Sequence, residues 1–488
     1  MKETVSRLWD SYRAGNLGVL ADAGFTPSQV KALRLVAFMR YVEDNAANLG
    51  ISFDDTQRLG AISQAYGSAF FPEERLMDHA AWMAGALGMD RELFRAYVAG
   101  FSRADMRAVL DRFDLRPGQL SEGVEPAVGW RLYDFLRART PSLDSSDQHF
   151  SAYHFGLIAT RLLQETLDAA PLSDTVRICD PACGSGFFLS EMVPVRAEGV
   201  TCEIAAFDCD AASVCQTAMN LLFVGYRGDF SRVRCADALD PEEPLLAPDV
   251  RFDGVLCEPS FERYTGRTGS GDAAKGYLAL LNGKRWSSSD TEARYLLRAA
   301  SMLSETGAAV LVMSSRLASS RADRALRTWL VRSNLVDAVV ELGFKPAAIK
   351  KARSVTAIWL LRRGRPSGSG ILLGRIGADG LDRAYPDFIR DLNEGGDAAD
   401  RAVDWLVDMV RDHREYDLLS REVSRKEVLS EKDCALRYAS YADSVDVLGR
   451  LERVGELRNL VTQRGAVQRE LEKASTEFDT ALRAVEGL

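Results

Sequence analysis

A strand that closes on an acidic residue, turns over two glycines and re-enters as a helix leaves few folds open to a chain. Residues 176–192, VRICDPACGSGFFLSEM, read that way. Val176, Arg177 and Ile178 supply a short β-forming run, Asp180 ends it, Gly184 and Gly186 make the turn, and Phe187 opens an apolar helical segment. Glycines in such a loop let the backbone approach a ligand closely, and the helix start that follows presents N–H groups at the positive end of its dipole. The stretch reads as a nucleotide seat, although a strand-to-helix turn that merely needs positive φ has the same look.

Spacing narrows the choice of nucleotide. A dinucleotide fingerprint needs a third glycine where Leu189 stands, so NAD and FAD are disfavoured, and a phosphate-cradling G-x-x-x-x-G-K-[ST] occurs nowhere. The next apolar run, Ile204 to Phe207, ends at Asp208, 22 residues after Gly186, where a carboxylate suits a ribose diol.

The 488 residues are too many for one ordinary core and predict two or three domains. With 47% hydrophobic and 27% charged residues the composition is that of a soluble globular protein. A net charge of -9 argues against a protein that coats nucleic acid on its own, and leaves DNA binding to a local basic patch or a partner subunit. Seven of the eight cysteines lie between Cys179 and Cys257 without a C-x-x-C pair, and His79, His149, His154 and His413 show no ligand spacing. Free thiols in a reducing cytosol, and no metal, are expected. The start lacks an apolar signal core and no run reaches membrane-spanning length, so a cytoplasmic protein with no membrane contact is expected.

Residues 1–145 read as helical, with Thr26-Pro27-Ser28 as a start signal and Leu33, Val36, Ala37, Met39 and Tyr41 giving an apolar face near the helical period. The polar segment PSLDSSDQHFS at 141–151 marks a boundary. Residues 146–365 alternate short strand-like runs with helical periods, predicting an α/β domain with a parallel sheet covered by helices on both faces. The seven runs are Val176 to Cys179, Ile204 to Asp208, Val233 to Cys235, Gly254 to Cys257, Ala309 to Met313, Val336 to Glu341 and Thr356 to Leu361. A flexible link, RPSGSG, then leads to a mixed segment at 366–440 and a helical tail at 441–488. In that tail Val467, Leu471, Ala474, Phe478, Leu482 and Val485 form a stripe suited to docking on another helix or on the chain's own core.

The wording DPACGSGFFL resembles the S-adenosylmethionine-binding motif of the amino-methylating DNA methyltransferases, above all the modification subunit of type I restriction-modification systems. The resemblance spans nearly the whole chain and is sharpest over 176–262. It implies a Rossmann-like methyltransferase domain with S-adenosylmethionine as cofactor. Asp180, Ala182, Gly184 and Gly186 would form the seat, Asp208 would hold the ribose, and Asp237, followed by Leu239, would read the adenine amine. Tyr153, with His154 and Phe155, stands at the family's aromatic-Thr-Pro position without the Thr or Pro. Met219 to Leu222 matches an M-N-L-L helix of the family, and Val423 to Tyr438 resembles a segment before its last helices.

In that family the loop after the fourth strand reads Asn-Pro-Pro-aromatic, its carbonyls accepting from the target amine and its ring stacking on a base flipped out of the duplex. Here it reads Glu258-Pro259-Ser260-Phe261, so Glu258, Pro259 and Phe261 are the candidate catalytic residues, with Glu258 an acceptor that favours positive charge on the amine. Basic residues that could face DNA phosphates are Arg263, Arg267, Lys284 and Arg285 after that loop, and Lys350 and Lys351 further on. The resemblance implies a DNA adenine-N6 methyltransferase subunit of a type I-like restriction-modification or phage-defence system. Its partners would be DNA, a specificity-type subunit carrying target-recognition domains, and a restriction or translocase subunit. The alternative from the residues alone is a subunit that keeps the cofactor seat and binds DNA or a partner without methylating.

Overall fold

The structure is a computed structural model. It describes residues 26–53, 73–112, 120, 128–139, 153–169, 174–193, 200–240, 243–247, 249–259, 290–342, 356–376, 396–416 and 419–442, with a few positions between 385 and 392. The first helix among the described residues, α1 (Pro27–Asp44), begins where the sequence signals it. The Thr26 side chain accepts from the Gln29 amide at 3.2 Å while Gln29 reaches back to the Thr26 amide at 3.2 Å, a capping box with Pro27 in the first turn. Among the described residues four more helices follow in this part: α2 (Glu73–Ala86), α3 (Arg91–Ala99), α4 (Arg103–Arg112) and α5 (Val128–Arg139).

After α6 (Tyr153–Asp168) the chain enters a sheet that has nine strands among the described residues, in the order β3-β2-β1-β4-β5-β7-β6-β8-β9. They are β1 (Thr175–Asp180), β2 (Thr201–Asp208), β3 (Val233–Cys235), β4 (Phe252–Cys257), β5 (Leu303–Ser314), β6 (Val336–Leu342), β7 (Thr356–Arg362), β8 (Ile371–Ile376) and β9 (Ser420–Val423). The connecting helices are α7 (Phe187–Met192), α8 (Ala211–Phe223), α9 (Thr291–Met302) and α10 (Arg324–Arg332), with α11 (Gly396–Arg411) and α12 (Arg425–Ser430) later. Side chains alternate across the sheet with period two. On β5, Ala308, Val310 and Val312 join the core shared with α1, α6 and α11, whereas Ala309, Leu311 and Met313 join the core beneath α9 and α10.

All seven sequence-expected strand runs form, but the sheet differs from the expected parallel one in two respects. β7 runs antiparallel to both its neighbours, β5 and β6, and two further strands extend the sheet past residue 365, β8 parallel to β6 and β9 antiparallel to β8. The segment expected to be a flexible link is instead pinned. Arg365 is buried, pairs with Asp337 at 2.7 Å and donates to the Val336 and Gly370 carbonyls, while Asn334 Nδ2 donates to the Arg365 carbonyl at 2.9 Å. The physical reason is that β8 needs its entry fixed: a buried guanidinium is tolerated only when its donors are used.

The helical part rests directly on α8. Tyr41 meets Phe223 edge-on at 5.5 Å, Arg227 Nη2 donates to the Tyr41 hydroxyl at 3.1 Å, and buried Arg34 donates to Gln216. Burial holds the Arg34 guanidinium below its ordinary pKa. The expected one-sided apolar face of α1 is therefore too modest: Leu33, Arg34, Leu35, Val36, Ala37 and Phe38 are all buried, which encloses the helix on every side. Residues 443–488, with the apolar stripe of the tail, lie outside the described residues.

Gly129 on α5 shows how close the approach is, since a Cβ there would overlap the Phe223 carbonyl. Backbone cannot step aside as a flexible side chain can, so Gly129→Ala is expected to cost about 1–3 kcal/mol of stability, as overpacking does. The check is the urea midpoint, and an unchanged midpoint would mean that α5 does not bear on α8.

Candidate active site

Loops leave the carboxyl ends of β1, β2, β3 and β4 at one edge of the sheet. With β2 on one side of β1 and β4 on the other, β1 is where the strand order reverses, the place at which open α/β sheets bind ligands. The sequence-expected residues Asp180, Ala182, Gly184, Gly186, Asp208, Asp237, Leu239, Glu258 and Pro259 all stand on these four loops or the strand ends that feed them.

The glycine loop is held from two sides. Gly184 and Gly186 sit at φ +52 and +76, the left-handed region that favours glycine. They differ in what faces them. A Cβ at Gly186 would meet Thr217 of α8 at 2.7 Å, whereas one at Gly184 would meet none of the described residues within 4 Å, so among them the loop is packed behind and open in front. Thr217 Oγ1 donates to the Gly184 carbonyl at 2.8 Å and Asn220 Nδ2 to the Ser185 carbonyl at 2.9 Å. The Cys183 amide donates to the Phe207 carbonyl at 2.9 Å, and the Gly184 amide to Asp208 Oδ2 at 2.9 Å. Thr217 escaped the sequence reading, and Asn220 was noted only as part of M-N-L-L. Gly156 on α6 also escaped it, although a Cβ there would overlap the Phe187 ring that follows the loop.

Carboxylates dominate the edge. Asp208 Oδ1 accepts from the Asp210 amide at 2.8 Å, and with the Gly184 and Cys209 amides three backbone donors reach this carboxylate, leaving about one of its four lone-pair sites for a further donor. Burial raises its pKa despite those amides. Asp180 accepts from the Ala182 amide at 3.0 Å and is pushed up to about 8, first by burial and then by the negative charges of Asp208 and Glu258. Asp237 Oδ1 accepts from the Leu239 amide at 2.9 Å, and Arg298 of α9 donates to the Ala238 carbonyl at 2.9 Å. Glu258 and Pro259 follow β4, whose Cys257 lies opposite Leu311 of β5; Glu258 is half-buried and Pro259 buried.

Some expected residues cannot be placed in this arrangement. Tyr153 opens α6, and its side chain lies outside the described residues. Phe261, Arg263, Arg267, Lys284, Arg285, Lys350 and Lys351 lie outside them altogether. Among the described residues no group of His, Cys, Asp and Glu could hold a metal ion, and no helix is long and apolar enough to cross a membrane.

A sheet in the order 3-2-1-4-5-7-6 with an antiparallel seventh strand, a glycine loop after β1 and an acidic residue after β2 defines a Rossmann-like methyltransferase. The chain belongs to the N-6 DNA methylase family, whose model matches residues 157–447, well over half of it. Its fold is similar to that of the type I restriction-modification system methyltransferase subunit from Streptococcus thermophilus, with a TM-score of 0.60 at 15% identity, covering 90% of this chain and 100% of that one. It is similar too to a modification subunit of a putative type I restriction enzyme from Vibrio vulnificus YJ016, with a TM-score of 0.53 at 14% identity over 92% and 98% of the two chains. A ribosomal protein L11 methyltransferase from Synechococcus elongatus is 35% identical over 100 residues, 20% of this chain. The match spans only 31% of that relative's length.

The raised Asp180 has a consequence for stability. The folded protein keeps a proton on Asp180 up to about pH 8, while the unfolded chain gives it up near 3.8, so the folded state binds more protons between these values and loses stability as pH rises through them. Asp180→Asn preserves the shape and the acceptor for the Ala182 amide. It is expected to flatten this slope, so that the variant gains most over the parent in thermal unfolding near pH 8. Superimposable Tm-against-pH curves would show that Asp180 is not the source.

Proposed function

We propose that this chain is the methyl-transferring subunit of a type I-like DNA modification complex, acting on the N6 amine of adenine with S-adenosylmethionine. The observation that carries the reading is the adjacency of β1 and β4: the open glycine loop and Asp208 lie on one side of the crevice and Glu258-Pro259 on the other.

The residues suit the cofactor. The space in front of Gly184 admits a ligand, the remaining acceptor site of Asp208 suits a ribose hydroxyl, and Asp237 suits an adenine amine. Asp208 and Glu258 place negative charge near Asp180, raising its pKa beyond what burial does, and a sulfonium cation would offset that charge. When bound, the cofactor supplies a methyl group on a positively charged sulfur.

The chain's own residues then have defined tasks. Glu258 and the Pro259 carbonyl accept hydrogen bonds from the target amine and aim its lone pair at the methyl carbon, and Phe261 stacks on the flipped base. Stacking of this kind is worth about 1–3 kcal/mol against an extrusion cost of a few. As the target amine takes the methyl group it would gain positive charge, which the Glu258 carboxylate would stabilise before taking up the departing proton. Arg263, Arg267, Lys284, Arg285, Lys350 and Lys351 contact phosphates. A chain of net charge -9 leaves much of the DNA affinity, and the choice of sequence, to a specificity-type subunit. A restriction or translocase subunit completes the assembly, and the 441–488 tail serves subunit contact.

Labelled methyl transfer to mixed DNA by the chain co-purified with its specificity-type subunit tests this. Label on adenine is expected from the wild type. Glu258→Ala should lose roughly 100-fold or more in rate, as removal of a charge-stabilising acceptor does, while Glu258→Asn should retain activity. Cofactor binding without transfer in the wild type would overturn the reading in favour of a binding subunit.

A further inference from the structure

Arg298 of α9 is only 7% exposed, and the cofactor reading assigns it no task. Its Nε donates to the Ala238 carbonyl at 2.9 Å and its Nη2 to the Asp240 carbonyl at 3.3 Å. These carbonyls belong to the turn after β3, in which Asp237 Oδ1 accepts from the Leu239 amide and the Asp240 amide donates to the Asp237 carbonyl at 2.9 Å. One rigid, planar guanidinium thus grips the turn at two points just beyond Asp237. Lysine, with a compact ammonium on a flexible stem, does not reproduce that fork.

Tyr295 stands three residues earlier on α9, on the same face. It is buried in the core that also holds Ala238, Leu239 and Cys257, and the acidic groups around its hydroxyl are Cys257, Asp237, Cys209 and Asp208. One face of α9 therefore reaches the ends of β2, β3 and β4 together. Burying a guanidinium costs free energy unless its donors are used, and here two are spent on a single four-residue turn.

We propose that Arg298 is a positioning residue for recognition of the cofactor's base: it fixes the Asp237–Asp240 turn so that the Asp237 carboxylate meets an exocyclic amine and discriminates against a carbonyl at the same position. This rests on the reading of Asp237 given above.

The test uses the full chain and calorimetric binding of two ligands, S-adenosylhomocysteine and S-inosylhomocysteine, which differ in a 6-amino or a 6-oxo group. Wild type is expected to prefer the amine. Asp237→Asn, whose amide can donate to the oxo group, should collapse or invert that preference. Arg298→Gln should weaken the amino ligand about tenfold and the oxo ligand little, collapsing the ratio. Arg298→Lys should fall between, and it decides the matter if the Gln variant fails to fold. Equal weakening of both ligands, with the ratio kept, would make Arg298 simple structural glue and overturn the inference while leaving Asp237 in place. A ratio retained in Asp237→Asn, or absence of binding in the wild type, would remove the underlying cofactor reading and the inference with it.

Discussion

A loop with two left-handed glycines keeps one conformation only if its carbonyls and amides find fixed partners, and here α8 and the end of β2 supply them. Thr217 and Asn220 take the Gly184 and Ser185 carbonyls, and Asp208, just before α8, takes the Gly184 amide. Gln216 and Phe223 of the same helix, neighbours of Thr217 and Asn220 along it, meet Arg34 and Tyr41 of α1. A single helix therefore connects the glycine loop to the helical part of the chain. Because α8 is buried almost throughout, a shift at its contacts with α1 has no slack to absorb it before it reaches the residues that hold the loop.

How much of this was legible follows from the range of each interaction. The capping box at Thr26 and the β1 turn are local patterns, and both could be read from neighbouring residues. The seven strand runs were legible because buried strands need apolar β-formers. Their direction was not, since β7 has the same apolar wording whether it runs parallel or antiparallel to β5. β8, ILLGRI, was missed because Gly374 interrupts it and a Gly/Pro-rich stretch precedes it. In the sheet that glycine serves close packing, as a Cβ there would meet the Val340 methyls at 3.3 Å. Pairs such as Arg34 with Gln216, 182 residues apart, carry no sequence signature at all.

The late segment that resembles the family before its last helices acquires a physical role in the fold. Arg327 of α10, fully buried, donates to the carbonyls of Leu317, Cys434 and Asp433, and the Leu436 amide donates to the Ala318 carbonyl. Residues 433–436 are thereby fastened to the turn after β5. That turn also carries Arg316, paired with Asp290, while Ser314 at the end of β5 donates to Glu292. Asp290 and Glu292 lie at the start of α9, so the same helix that grips the Asp237 turn through Arg298 is tied at its other end to β5 and, through it, to the C-terminal segment.

Charge movement explains why a carboxylate can stand where the family pattern has an amide. In the proposed reaction one positive charge leaves sulfur and arrives on the target amine, so a site that stabilised only the sulfonium would bind the reactant well and slow its reaction. Asp180 and Asp208 stand on the glycine-loop side of the crevice and Glu258 on the β4 side. Asp180, pushed up to about 8, is largely protonated at neutral pH and so adds little negative charge on the cofactor side. A charged acceptor at 258 moves the balance toward the amine, where stabilisation grows as the methyl group crosses. Glu258 is longer than asparagine by one methylene, and the position it requires of the amine is correspondingly displaced.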